Sequence, residues 1–168
     1  MYNLCPPQGT CRELTTMDPS TLDKTLQDLE NDDWGEPTYP SHLVTECHRL
    51  RRVPLREFTV EDLRIVIGQS FSLTYLMPLA LDILENDPWV SGDYFEGDLL
   101  LNAVRADPEY WKNHPALATR MDTIVTDAQR MAAESVDDCY SGPRCDHVLF
   151  YLERWVTRRS PAGKSHTL

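Results

Sequence analysis

Residues 72–87 read SLTYLMPLALDILEND, a strongly apolar part of the 168-residue chain. Their apolar side chains recur on almost every side of a 3.6-residue period, which is typical of a helix that is buried all round. With Thr74 as the N-cap, Pro78 falls in the first helical turn, where its missing N–H costs little. The stretch therefore predicts a buried central helix that continues to about Glu85.

The segments on both sides of this helix also follow helical spacing. The sequence TVED at residues 59–62 is a near capping box, and Pro115 suits the first position of a long helix. Sustained alternation of apolar and polar residues, which a strand would require, is absent from the sequence. The chain therefore reads as all-α, with about seven or eight helices.

The boundaries of the helical domain follow from where the periodicity starts and stops. We predict a single compact domain over residues 18–158, between flexible tails at residues 1–17 and 159–168. Within the domain, Ser20 is the expected N-cap of the first helix, and Gly68 is expected to mark a helix end or a close packing contact. The last helix is expected over residues 146–158.

The charge of the chain limits the partners that it can bind. The net charge is −11 and the isoelectric point is about 4.8, which argues against direct binding of nucleic acid or of anionic membrane surfaces. A basic protein is the natural complement, although acidity also serves solubility alone. We expect no membrane span, because 18 consecutive apolar residues are absent, and no signal peptide; the cytoplasm is the default location.

Two stretches combine acidic and aromatic residues without any lysine or arginine. Residues 28–36, DLENDDWGE, are named here the first acidic segment, and residues 87–98, DPWVSGDYFEGD, the second acidic segment. Interface hot spots favour Trp and Tyr, and carboxylates suit a basic partner, although each Trp could instead cover the core. The predicted partner-binding residues are Asp32, Asp33, Trp34, Asp87, Trp89, Asp93, Tyr94 and Glu96.

Motifs that indicate catalysis are missing from the sequence. Neither G-x-S-x-G nor a glycine-rich phosphate loop occurs, so we predict no catalytic residues and no cofactor. Asp82 and Glu85 could hold a divalent cation, which leaves a carboxylate-metal enzyme as a weaker alternative. Cys139 and Cys145 match no common zinc spacing, so we predict structural cysteines and no metal site, and the sequence leaves open whether the two form a bond.

The one basic cluster is RLRR, at residues 49–52. Its charges could complement the dipole at the C-terminal end of a helix, or they could form an internal bridge to one of the acidic segments. Both interpretations remain open from the sequence alone.

Motifs on both sides of the central helix form a pattern that resembles one known family. The first part carries the acidic Trp segment, S-x-L-V before C-x-x-L-R, PL-x-x-F, EDLR and IGQ. The second part carries L-x-P-L-A-L, an acidic N-x-P and GD-x-x-x-GDLL. Over residues 26–115 the chain resembles the immunity proteins of bacterial contact-dependent growth inhibition (CDI) systems.

The resemblance implies a small cytoplasmic protein that performs no catalysis and blocks a cognate toxin domain, often a nuclease. Because a nuclease grips its substrate in a basic cleft, an acidic surface could occupy that cleft. The GD-x-x-x-GDLL motif could instead serve the fold, with Asp93 or Asp98 capping a helix and with Tyr94 and Phe95 packed inside. An interaction adaptor with an unrelated partner is the alternative function.

Overall fold

The computed structural model describes residues 17–134 and 143–159, and all the regular elements in these ranges are helical. The predicted all-α fold is therefore confirmed. A 3₁₀ helix at Leu55–Glu57 lies between the third and fourth α-helices. The α-helices of the described ranges are α1 (Pro19–Leu22), α2 (Leu26–Glu30), α3 (His42–Leu50), α4 (Val60–Gly68), α5 (Leu73–Asn86), α6 (Asp98–Arg105), α7 (Pro108–Asn113), α8 (Pro115–Glu134) and α9 (Pro143–Arg159).

The described ranges contain nine α-helices, because the first predicted helix is divided in two. The predicted cap at Ser20 is wrong: Asp18 caps α1 by accepting from the Ser20 N–H at 2.9 Å. Thr25 then caps α2 through a capping box with Asp28. The second cap starts a new helix and leaves α1 only four residues long.

Helix α5 is the buried central helix that the sequence predicts. Leu76, Leu81 and Leu84 are fully buried, and α5 packs against α4, α6 and α8. Its N-cap is Ser72 rather than Thr74, because Ser72 adopts a left-handed conformation with φ of 55° and the helix begins directly after it. Pro78 consequently lies inside the helix, beyond the first turn.

Helix α4 confirms both predictions made for its ends. The Thr59 side chain accepts from the Asp62 N–H at 3.2 Å, and the Asp62 carboxylate accepts from the Thr59 N–H at 2.9 Å. Gly68 ends the helix, and a Cβ at this position would lie only 2.9 Å from Oδ1 of Asn102 on α6. The glycine therefore allows α4 and α6 to pack closely.

The last three helices complete the core: α8 packs against α5, α7 packs against α8, and α9 packs against α6 and α8. Asp107 caps α7, and α8 begins at Pro115 as predicted. Helix α9 begins at Pro143, three residues earlier than expected, and buries Val148, Leu152 and Trp155. The segments before residue 17 and after residue 159 lie outside the described residues, as does Cys139, so the predicted tails and the state of the two cysteines are not tested. In the part of the chain that the structure describes, the helices are all too short or too polar to span a membrane.

Candidate partner-binding surface

The two acidic segments lie at opposite ends of α5. In the first acidic segment, the Trp34 ring packs against Phe71, just before α5, with a centroid distance of 5.1 Å. The second acidic segment begins at Asp87, the C-cap of α5. A helix of 14 residues separates these attachment points by about 20 Å. The eight residues predicted from the sequence therefore form two sites rather than one continuous surface.

The first acidic segment is organised around the buried side chain of Arg51. This guanidinium is 2 % exposed, forms an ion pair with Glu30, and donates to the Asp32 carbonyl at 2.7 Å. Its central carbon lies 4.2 Å from the centroid of the Trp34 ring, in a cation–π contact. The cation thus neutralises charge inside the segment and supports the aromatic ring that covers it.

A second arginine of the RLRR cluster binds the far end of the same segment. Arg52 donates to Glu36 at 2.9 Å and to the Gly35 carbonyl at 2.8 Å, and it lies 3.9 Å from the Asp33 carboxylate. This arrangement confirms one of the two interpretations of RLRR, an internal bridge to an acidic segment. The carboxylates of Asp32 and Asp33 stay exposed, but each faces an arginine of its own chain.

The second acidic segment is organised around the buried carboxylate of Asp98, which is 1 % exposed. This carboxylate accepts hydrogen bonds from the backbone N–H groups of Gly92 at 2.7 Å, Tyr94 at 3.2 Å and Phe95 at 3.5 Å. Because Asp98 is also the first residue of α6, its negative charge meets the positive end of the helix dipole. One buried side chain therefore fixes both the loop and the start of the helix.

Glu61 and Arg64 of α4 complete the support of this loop. Arg64 donates to both carboxylate oxygens of Glu61, at 2.6 and 2.5 Å, and lies 3.8 Å from Asp98. Glu61 also accepts from the Asp93 N–H at 3.0 Å. The hydrogen bonds from Arg64 are the main reason that the pKa of Glu61 is lowered from 4.5. Sequence reasoning assigned no role to this pair, although the i, i+3 spacing within EDLR permits it.

Trp89 is buried beneath the loop. Its side chain is 3 % exposed, and its Nε1–H donates to the Ala128 carbonyl of α8 at 3.2 Å. Gly97, with φ of 80°, lies against the ring: a Cβ at this position would be 2.9 Å from Cε3 of Trp89. Trp89 therefore attaches the second acidic segment to the core, and a partner could reach it only after rearrangement.

The remaining predicted residues of the second acidic segment face outward. Asp87, Asp93 and Glu96 are exposed and form no salt bridges within the described ranges. Tyr94 is 66 % exposed, and the Arg64 guanidinium carbon lies 4.3 Å from its ring centroid. Phe95 is partly buried against the core. Of the two interpretations of GD-x-x-x-GDLL, the scaffold role therefore describes Asp98 and Phe95, whereas Tyr94 remains at the surface.

Helix α9 extends this surface beside Glu96. Burial raises the pKa of the Cys145 thiol, and the negative charges of Asp146 and Glu96 raise it further. The two carboxylates therefore lie near the same thiol. Asp146 is exposed and thus adds a further negative charge on the side of the segment where Glu96 lies.

The carboxylates proposed for a metal site have a different partner. Asp82 and Glu85 both bind Arg120, at 2.6 and 2.7 Å. In the two described ranges, the His, Cys, Asp and Glu side chains form no groups of three or more that could hold a metal ion. The candidate for partner binding is therefore the set of carboxylates and aromatic rings that the two acidic segments expose.

A comparison with known protein families identifies the family to which the chain belongs. The model of the CDI immunity proteins matches residues 28–121, more than half of the chain, and the protein belongs to this family. Its members are toxin inhibitors without catalytic activity, and membership implies that this protein binds and neutralises a cognate CDI toxin. No curated proteins and no solved structures match the chain.

Proposed function

We propose that this protein acts in the cytoplasm, where the second acidic segment binds the toxin domain and occludes the basic active site of a nuclease. The observation that carries the proposal is the exposed group of Asp93, Tyr94 and Glu96 on a loop fixed from beneath. Carboxylates at these positions lie where the phosphates of a nucleic acid would approach such a cleft. Tyr94 supplies the aromatic contact area that hot spots favour.

The backbone of the loop favours the same kind of partner. The N–H groups of four consecutive residues, 92–95, donate inward to the carboxylates of Asp98 and Glu61. The carbonyls of Gly92 and Phe95 accept from the Ser91 hydroxyl and the Asp98 N–H, so the backbone offers a partner mainly the carbonyl oxygens of residues 93 and 94. Hydrogen-bond acceptors and carboxylates together fit a surface rich in lysine and arginine.

The first acidic segment has a lesser role in this proposal. The carboxylates of Asp32 and Asp33 lie near Arg51 and Arg52, so their field is partly cancelled within the chain. Trp34 is partly exposed but already packs on Arg51, His48 and Phe71. We assign these residues to a secondary contact, about 20 Å from the primary one along α5.

Calorimetry with the toxin domain encoded beside this protein tests the proposal. We expect a one-to-one complex, loss of nuclease activity on binding, and weaker binding for the double variant Asp93→Asn/Glu96→Gln. The comparison variant, Asp33→Asn/Glu36→Gln, changes the net charge equally at the secondary contact, so it should weaken binding less. Failure to form a complex at micromolar concentration would refute the function. Equal weakening by both double variants would place the interface elsewhere.

A further inference from the structure

The second acidic segment is supported by a residue that does not itself reach the surface. Asp98 is buried and cannot contact a partner directly, yet it accepts from the N–H groups of three loop residues. Without this carboxylate, those N–H groups would form hydrogen bonds with water instead, and the loop would sample other conformations. Asp98 therefore determines where Asp93, Tyr94 and Glu96 are placed.

We propose that Asp98 is a positioning residue for toxin binding, which holds the second acidic segment in its bound conformation before the toxin arrives. This inference rests on the proposed function, because it assumes that the toxin contacts this segment. A loop that is ordered in advance loses less conformational entropy on binding, so a fixed loop gives a higher affinity from the same contacts. Asp98 thus raises the affinity for the toxin although it does not contact the toxin itself.

Gly92 provides independent support, because its lack of a side chain is what lets the carboxylates approach. A Cβ at residue 92 would lie 2.6 Å from Oε2 of Glu61 and 3.0 Å from Oδ2 of Asp98. These oxygens are held by Arg64 and by backbone N–H groups, so they cannot simply move aside. Gly92→Ala should therefore loosen the same support without any change in charge.

Hydrogen exchange in the free protein is the first test, and it does not depend on the toxin. In Asp98→Asn, the amides of Gly92, Tyr94 and Phe95 should exchange about tenfold faster than in the wild type. The control is Ile67→Val, which truncates a fully buried side chain of α4 and lowers the stability of the whole fold. In the control, loop and core amides should change together. Unchanged loop exchange in Asp98→Asn would overturn the inference whatever the toxin does.

Toxin binding is the second test, made where each variant is more than nine-tenths folded. Asp98→Asn and Gly92→Ala should each lower the affinity about tenfold, with a more unfavourable binding entropy and a faster dissociation rate. Ile67→Val should bind as the wild type does, because a purely structural loss does not change the affinity of molecules that remain folded. If wild type binds and all three variants bind equally well, the positioning role is refuted while the proposed function stands. If wild type does not bind, the proposed function itself has failed.

Discussion

The guanidinium of Arg51 lies beneath the Trp34 ring, 4.2 Å from its centroid, and binds Glu30 and Asp32 at the same time. A buried cation with one aromatic and two acidic partners makes the first acidic segment part of the folded structure rather than a free acidic rim. The removal of Arg51 would leave the two carboxylates repelling each other beside an unsupported ring.

Arg51→Ala should therefore destabilise the protein. We expect the free energy of unfolding to fall by about 2–3 kcal/mol, because a buried, hydrogen-bonded charge is lost. Arg52→Ala, which removes an exposed cation from the same segment, should change it little. Urea denaturation of both variants measures the difference. Equal losses would mean that burial of Arg51 adds nothing to its ion pairs.

Glycine substitutions can separate backbone strain from side-chain contact. Gly35 and Gly97 both have positive φ, but a Cβ at Gly35 has open space around it, whereas one at Gly97 meets Trp89. Gly35→Ala should cost about 1 kcal/mol from strain alone. Gly97→Ala should cost about 3 kcal/mol, because overpacking against the buried ring is added to the same strain.

Thermal or urea unfolding of the two glycine variants gives the comparison directly. The fluorescence of Trp89 should also change in Gly97→Ala. It should stay as in the wild type in Gly35→Ala. A Gly97→Ala protein as stable as Gly35→Ala would show that Trp89 can shift freely.

The hydrogen bonds between Arg64 and Glu61 should make the stability of the second acidic segment depend on pH. The pKa of Glu61 is lowered in the folded protein, so its contribution is complete above its ordinary pKa of 4.5 and is lost as pH falls through the folded value. Glu61→Gln should therefore be less stable than wild type at pH 7, and the difference should shrink below pH 4.5. Denaturation curves from pH 7 to pH 3 measure this, and a difference independent of pH would contradict it.

Association with a basic toxin should depend strongly on salt. The wild type should associate about tenfold more slowly when the ionic strength rises from low to physiological values, because screening weakens steering. Asp93→Asn/Glu96→Gln should reduce this dependence, since the two carboxylates that it removes form no salt bridges within residues 17–134 and 143–159. Stopped-flow measurements at several salt concentrations test this, and an unchanged salt slope in the variant would show that other charges steer the encounter.

Local signals in the sequence predicted much of the fold. The capping box at Thr59 and the proline at the start of α8 are both set by residues a few positions apart. The start of α5 was misplaced because Ser72 adopts a left-handed conformation that serine rarely takes, and a sequence pattern does not reveal it. Local patterns thus identified the helical regions but missed several boundaries, among them the division between α1 and α2 and the first residues of α5 and α9.

The candidate site was harder to predict because its key contacts join distant residues. Arg64 pairs with Asp98, 34 positions away, and Trp89 donates to Ala128, 39 positions away. The second acidic segment contains no lysine or arginine, and the cation that lies against it, Arg64, belongs to another helix. The sequence located the acidic loop correctly but could not distinguish its inward carboxylates from its outward ones.

The division between inward and outward carboxylates in the second acidic segment has an evolutionary consequence. Asp98 and Glu61 keep the loop in shape, whereas the side chains at positions 93 and 96 contribute little to folding. Substitutions at the two outward positions can therefore accumulate at low cost to stability, and each one presents a new chemical pattern on an unchanged frame. A lineage that meets altered toxins could in this way change its specificity one residue at a time while every intermediate still folds.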